Sequence, residues 1–171
     1  MNRLAAIAPA ILALAGCAAM DTGPKATAAL QPTAGNTASG TVTFTRSGGK
    51  VLVSGEVRGL KPGAQHGFHI HEKGDCSAPD ATSAGGHFNP DGKPHGAADH
   101  QPHHAGDLPP LVADATGVAK ISYEADAISV GSGGANDVVG RGLIVHRDPD
   151  DFRTQPTGNS GARVACGVIK S

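Results

Sequence analysis

The sequence predicts an all-β domain, an antiparallel Greek-key β-sandwich or flattened barrel whose chemistry sits on long loops. Three observations predict it. Aromatic residues make up only 3% of the 171-residue chain and Trp is absent, while 25 Gly and 12 Pro are spread along it; that mixture suits short strands and turns better than a helical bundle. Apolar residues recur with period two in several short runs, as in Thr41-Val42-Thr43-Phe44-Thr45. No stretch sustains the period of an amphipathic helix. The length fits one domain with a terminal segment to spare.

Residues 1–16 read as a secretory signal: Arg3 supplies the positive end, Leu4 to Leu14 a short apolar core, and small residues follow. The apolar run is too short to span a bilayer as a mature helix. The string Leu14-Ala15-Gly16-Cys17 resembles the lipobox of bacterial lipoproteins, which implies cleavage before Cys17 and acylation of that residue. Several acyl chains make such anchoring stable, because each buried CH₂ contributes about 0.8 kcal/mol. The alternative is an ordinary cleaved signal. Residues 17–40 are Ala, Thr, Gly, Pro and Asn with almost no large apolar side chains, and read as a flexible tether. The folded domain is then expected over 41–171.

Within it, strands are expected at 41–45 and 51–57, joined by the turn Ser47-Gly48-Gly49-Lys50 into a hairpin. Further strands are expected at 67–71, 111–113, 118–123, 138–146 and 163–169. Two long segments, 71–110 and 147–162, lack strand character. Loops of that length in a compact domain are functional or disordered, and the polar chemistry concentrated in these favours function. No internal repeat is visible.

Three Cys is an odd number for an exported chain and asks for an explanation. With Cys17 lipidated, Cys76 and Cys166 remain, and an oxidising compartment leads to a structural disulfide between them, the alternative being two buried thiols. Such a bridge closes a loop of about 90 residues and contributes on the order of 4 to 5 kcal/mol. The formal net charge of −1, with both signs dispersed, offers no basic stripe for nucleic acid.

Nine His in so short a chain, most of them between His66 and His104, point to metal. His69-Ile70-His71 lies on an expected strand, so both imidazoles share one face and Ile70 takes the other. Gly85-Gly86-His87-Phe88-Asn89-Pro90 opens a Gly/Pro-rich loop in which His95, His104 and Asp107 follow. Three imidazoles and one carboxylate make a tetrahedral zinc set with no open position, a structural one. Leu143-Ile144-Val145-His146 ends an apolar strand on a histidine.

Together, Gly67-Phe68-His69-Ile70-His71, Gly86-His87-Phe88-Asn89-Pro90, His104-Ala105-Gly106-Asp107, the segment from Leu143 to His146, and Gly158-Asn159-Ser160-Gly161-Ala162-Arg163-Val164-Ala165-Cys166-Gly167 resemble the copper/zinc superoxide dismutase family in order and approximate spacing. The resemblance runs from about residue 41 to 169. It implies an immunoglobulin-like Greek-key fold with long metal-binding and electrostatic loops, and disproportionation of superoxide to dioxygen and hydrogen peroxide by Cu(II)/Cu(I) cycling. It makes His69, His71, His87 and His146 the copper ligands, and His87, His95, His104 and Asp107 the zinc ligands, with His87 bridging both. Cys76 and Cys166 match the family's disulfide. Arg163 matches its anion-guiding arginine, Thr157 the residue across the channel mouth, and Asp150 the carboxylate that links a copper histidine to a zinc histidine. His66, His100 and His103 match no ligand position; His100 and His103 read as solvated, or as a weak extra capture site.

The resemblance is mosaic. The passage His71-Glu72-Lys73-Gly74-Asp75-Cys76 looks bacterial, whereas the runs from His87 to Asp107 and from Thr157 to Cys166 look closer to the eukaryotic pattern. The loop over 147–162 is shorter than its eukaryotic counterpart and lacks a matching acidic pair and lysine, which leaves guidance to Arg163 with help from Arg153. The expected setting is the periplasmic side of a bacterial envelope, anchored through Cys17. Ala18 in place of Asp after Cys17 favours the outer membrane. The chain is expected to be a monomer or a homodimer. A non-catalytic metal-binding envelope protein and a two-metal hydrolase are the rival readings; the full histidine set argues against the first, and the single carboxylate, Asp107, against the second.

Overall fold

A computed structural model describes residues 23–171. The signal at 1–16 and the lipobox cysteine, Cys17, lie outside the described residues. The strands are β1 (Lys25–Pro32), β2 (Ser39–Ser47), β3 (Lys50–Arg58), β4 (Gln65–His66), β5 (Phe68–His71), β6 (Leu111–Val112), β7 (Ala119–Ala125), β8 (Gly142–His146) and β9 (Arg163–Lys170). One 3₁₀ turn, Thr82–Ala84, is the helical element among the described residues. Seven strands form one antiparallel sheet in the order β5-β8-β9-β1-β2-β3-β7, and β4 pairs with β6. The sheet curls on itself, so that Val42, Phe44 and Val53 from one half share a core with Phe68, Ile70, Leu143 and Val145 from the other.

The segment expected as a tether over 17–40 is corrected by β1. Within it, Lys25–Pro32 is a strand in the middle of the sheet, paired with β2 on one side and β9 on the other. Ala26, Ala28 and Leu30 are buried in alternation with exposed neighbours, and burying Leu30 alone is worth about 1.5–3 kcal/mol. The folded domain therefore includes Lys25–Pro32 rather than starting at residue 41. The expected strand over 138–146 is also shortened. Gly140 has φ 84 and the Arg141 N–H donates to the Val138 carbonyl, so the chain turns there and becomes extended only at Gly142.

The β2–β3 hairpin forms as its turn residues require. Ser47 pairs with Lys50, and Gly48 and Gly49 both have positive φ, 53 and 92, as a two-residue turn matching the strand twist demands.

Every residue of β5 is buried, although the strand lies at the edge of the sheet. Phe68 and Ile70 face the core. The long loop covers the remaining edge and lies over the other face: Ile70 N–H donates to Gly106 O, Phe88 N–H to Ile70 O, Glu72 N–H to Gly86 O and Leu108 N–H to Phe68 O. The loop is thus pinned to β5 at the positions that flank its histidines. Cys76 and Cys166 form a disulfide, packed against Ala81, Ala84 and Ile144. Among the described residues no helix is long and apolar enough to cross a membrane.

Candidate metal centre

Two groups of metal-ligating side chains stand side by side and share one residue. His69, His71, His87 and His146 form the first, and His87, His95, His104 and Asp107 the second; in each, one ligand atom per residue lies within 4.8 Å of all the others, and every member is buried. Alternation on β5 puts His69 and His71 on one face. His146 ends β8, where a register shift after Val145 sets it opposite Arg163 on β9. Such a bulge re-aims side chains at a sheet end.

Hydrogen bonds fix the tautomers of the first group. His71 Nδ1 lies 2.9 Å from Gly85 O and His146 Nδ1 3.2 Å from Gly161 O. A carbonyl can only accept, so each Nδ1 carries the proton and each Nε2 a lone pair. Those two Nε2 atoms are 3.4 Å apart. Burial lowers His71 well below its ordinary value and, together with the neighbouring His69, lowers His146 to about 3, so neither ring takes up a second proton near neutrality. His69 Nε2 faces Asp150 Oδ2 at 2.6 Å, which leaves its Nδ1 bare. His69 Nδ1 and His87 Nε2 are both fully buried with no hydrogen-bond partner. Four buried imidazole nitrogens converge with no proton to share, an arrangement that a bound cation satisfies and an empty cavity does not. All-nitrogen ligation of this kind suits copper.

The second group closes around Asp107. Its Oδ1 lies 2.9 Å from His87 Nδ1, 3.0 Å from His95 Nδ1 and 3.4 Å from His104 Nδ1. A tetrahedral zinc ion with ligands at about 2.0–2.1 Å has ligand edges of roughly 3.3 Å, so this spacing fits. Asp107 Oδ2 accepts the Gly96 and His104 N–H groups, which orients the carboxylate. Burial opposes ionisation of Asp107, but hydrogen bonds from His104, His87 and His95 hold it far below the usual carboxylate range. Burial lowers His87 to about 4, against the pull of Asp107. Burial also works against protonation of His95, yet Asp107 and Asp150, one on each nitrogen, outweigh it and raise this residue to about 9.

Asp150 joins the two groups. Its Oδ2 holds His69 Nε2, and its Oδ1 lies 2.9 Å from His95 Nε2 while also accepting the Phe152 N–H. Gly158 lets the backbone close over this bridge: it has φ +64, and a Cβ there would stand 1.9 Å from Asp150 Oδ1. No other residue fits without dislodging the carboxylate.

Arg163 donates from Nη1 to Ala81 O and from Nη2 to Gly85 O, both at 2.6 Å. Gly85 O therefore serves Arg163 and His71 together. Thr157 is half-buried in the loop between Asp150 and Arg163, with its carbonyl accepting the Ser160 hydroxyl at 3.3 Å. Arg153 is exposed.

The sequence reading missed four supports of the site. Gln155 clamps His95 at two points, its Oε1 accepting the backbone N–H and its Nε2 donating to the carbonyl; a lone Gln in a loop gives no sign of this. The carbonyls of Ala81 and Gly85 are backbone atoms, with no side chain to announce them. His66, left without a role, donates from Nδ1 to the carbonyl of His146 at 2.9 Å. His103 was expected to be solvated and is not. It is buried, with Nδ1 donating to His104 O and Nε2 accepting from Gln101. His100 is exposed beside Asp99. Among the described residues neither belongs to a metal-ligating group.

Residues 38–169 match the family model of copper/zinc superoxide dismutase (SODC). The chain is 41% identical over 123 residues to superoxide dismutase [Cu-Zn] 2 of Aquifex aeolicus (strain VF5), covering 70% of this chain and 72% of that protein. Its fold is similar to that of the clock protein EA4, with TM-score 0.78 and 39% identity over 88% of this chain and 96% of the other. It is similar also to a double mutant of a SOD-like protein from Bacillus subtilis, with TM-score 0.77 and 39% identity over 85% and 97% of the two chains.

Proposed function

Since the chain belongs to the copper/zinc superoxide dismutase family, we propose that it disproportionates superoxide in a bacterial cell envelope, with each residue of the double group in a defined role. Two superoxide anions and two protons give dioxygen and hydrogen peroxide. His69, His71, His87 and His146 would hold copper, and His87, His95, His104 and Asp107 zinc. Copper supplies a one-electron couple for the two half-reactions, and zinc a fixed positive charge. The observation that carries this reading is the set of inward-facing lone pairs, fixed by hydrogen bonds from the outside of the cluster.

The residues divide the remaining work. The Gly85 and Gly161 carbonyls and Asp150 hold three of the rings in one tautomer, so their orientation does not change as charge moves through the site. His87 is held at Nδ1 by the Asp107 group and has its Nε2 free of hydrogen bonds. When not holding copper, and with Nδ1 committed to zinc, that nitrogen would be the place to hold a proton and pass it to the reduced substrate. Arg163 is fixed by two carbonyls opposite His146, which leaves further guanidinium N–H groups to dock an anion. Asp150 and Gln155 keep His95 in place.

Superoxide dismutases are themselves a standard case of electrostatically steered capture near the diffusional ceiling of about 10⁸–10⁹ M⁻¹s⁻¹, so that scale is the family's own. The copper- and zinc-loaded chain, followed by stopped-flow decay of superoxide, is expected to show a second-order rate that requires copper and falls with salt. Arg163→Ala should lower that rate about tenfold at low ionic strength and flatten its salt dependence, with metal content unchanged. A variant as fast as the parent with the same salt profile would remove the guiding role. A rate no better than buffer at full metal occupancy would remove the enzyme reading.

The envelope location rests on the signal over 1–16 and on Cys17. A clickable palmitate fed to bacteria expressing the full chain is expected to label it, and Cys17→Ser to abolish the label. Labelling that survives the substitution would overturn the anchor.

A further inference from the structure

Asp80 stands beside the arginine that the proposed mechanism uses to attract the anion. Its carboxylate accepts at Oδ1 from both the N–H and the hydroxyl of Thr82, at 3.0 and 2.7 Å, so the charge is held in one place by a tight turn rather than swinging freely. The next residue, Ala81, gives its carbonyl to Arg163. Asp80 and Arg163 both line a cavity of about 400 Å³, with Thr33, Asn36, Gly161 and Ala162 among its other walls. Among the described residues lining it, these two are the charged ones, one of each sign. Burial lowers the Arg163 guanidinium and Asp80 acts in the opposite sense. The Thr82 hydrogen bonds hold Asp80 below the usual carboxylate range, and Arg163 adds to this. The two groups thus feel each other's charge.

We propose that Asp80 sets the charge selectivity of the anion site: it partly cancels the field of Arg163, and so disfavours a dianion more strongly than a singly charged substrate. This rests on Arg163 being the anion-guiding residue. Coulomb energy scales with the charge of the approaching ion, so whatever factor Asp80 removes from a monoanion, it removes the square of that factor from a dianion. Inorganic phosphate, a dianion at mildly alkaline pH, is the competitor against which this matters. A mouth with Arg163 alone would capture superoxide faster and would also be occupied more readily by phosphate. Asp80 trades some capture rate for freedom from that inhibition.

Asp80→Asn separates charge from structure, because an amide oxygen can accept both Thr82 hydrogen bonds. In the metal-loaded full-length chain it is expected to raise the superoxide rate about twofold at low ionic strength, with the gain vanishing as salt screens the charge. The affinity for inorganic phosphate should rise about fourfold, read both as inhibition and from the Arg163 Nε–H resonance in the metal-free chain. Asp80→Glu retains the charge, loses the turn, and should leave the rate and the phosphate affinity near the parent values. Two outcomes overturn the proposal while leaving Arg163 in its role: Asp80→Asn matching the parent at every ionic strength, or Asp80→Glu giving the same gain as Asp80→Asn. Should Arg163→Ala itself prove as fast as the parent, the guiding role fails and the selectivity proposal fails with it.

Discussion

Replacing His87 by alanine is expected to abolish dismutation and to strip both metals at once. His87 is the one residue the two groups have in common, with Nδ1 2.9 Å from Asp107 Oδ1 and Nε2 among the converging nitrogens of the copper set. Removing a residue that merely orients a ligand typically costs 10–100-fold in metal affinity. Loss of a ligand from each group should therefore cost more than about 100-fold for each metal, and the superoxide rate should fall to that of buffer. Specificity lies in the comparison. His71→Ala removes a member of the copper group only, and His104→Ala a member of the zinc group only. Metal analysis should find copper depleted in the first, zinc in the second and both in His87→Ala. A His87→Ala protein that retained copper and its rate would show that the two groups work independently.

Removing the disulfide is expected to have the largest effect on stability. Cys76 and Cys166 are 90 residues apart in sequence, and closing a loop of that length restricts the unfolded chain by about 4–5 kcal/mol in the chain-entropy account. For a domain of this size the corresponding fall in Tm is roughly 10–15 °C. The Cys76→Ala/Cys166→Ala variant, loaded with both metals and compared with the parent by calorimetry, should show that fall; a shift under about 3 °C would refute it. Activity should fall as well. The segment that Cys76 tethers carries the Ala81 and Gly85 carbonyls, which hold Arg163 and His71. Freed from the sheet, that segment no longer fixes either side chain.

Part of the two metal-ligating groups was legible from local pattern, and the rest, His146 and the sharing of His87 above all, only from the resemblance to the family. Alternation on one strand puts His69 and His71 on a common face, and the Gly/Pro-rich run after His87 can only be a loop. The supports were not legible. Ala81 and Gly85 act through carbonyl oxygens that any residue possesses, and Gln155 reaches His95 across a sequence separation of 60. The first strand was missed for a different reason. Its buried positions, Ala26, Ala28 and Leu30, are mostly small, and Thr27 is the one β-branched residue in Lys25–Pro32, which holds no aromatic residue. What makes it extended is the pair of neighbours it finds, β2 and β9, not its own preference. The strand before His146 is shortened by a local feature, since Gly140 takes a positive-φ turn and separates Val138 and Val139 from the apolar run that starts at Leu143.

The position of that first strand has a consequence for how the molecule is made. Thr27 lies opposite Thr43 on one side and opposite Lys170 on the other, so one partner is synthesised soon after it and the other much later. Until β9 emerges, the growing polypeptide can pair β1 with β2 but cannot join the two halves of the sheet. Contacts this distant in sequence make closure slow. Before β9 is made the sheet therefore stays open, and its two halves become one piece only once that strand is in place.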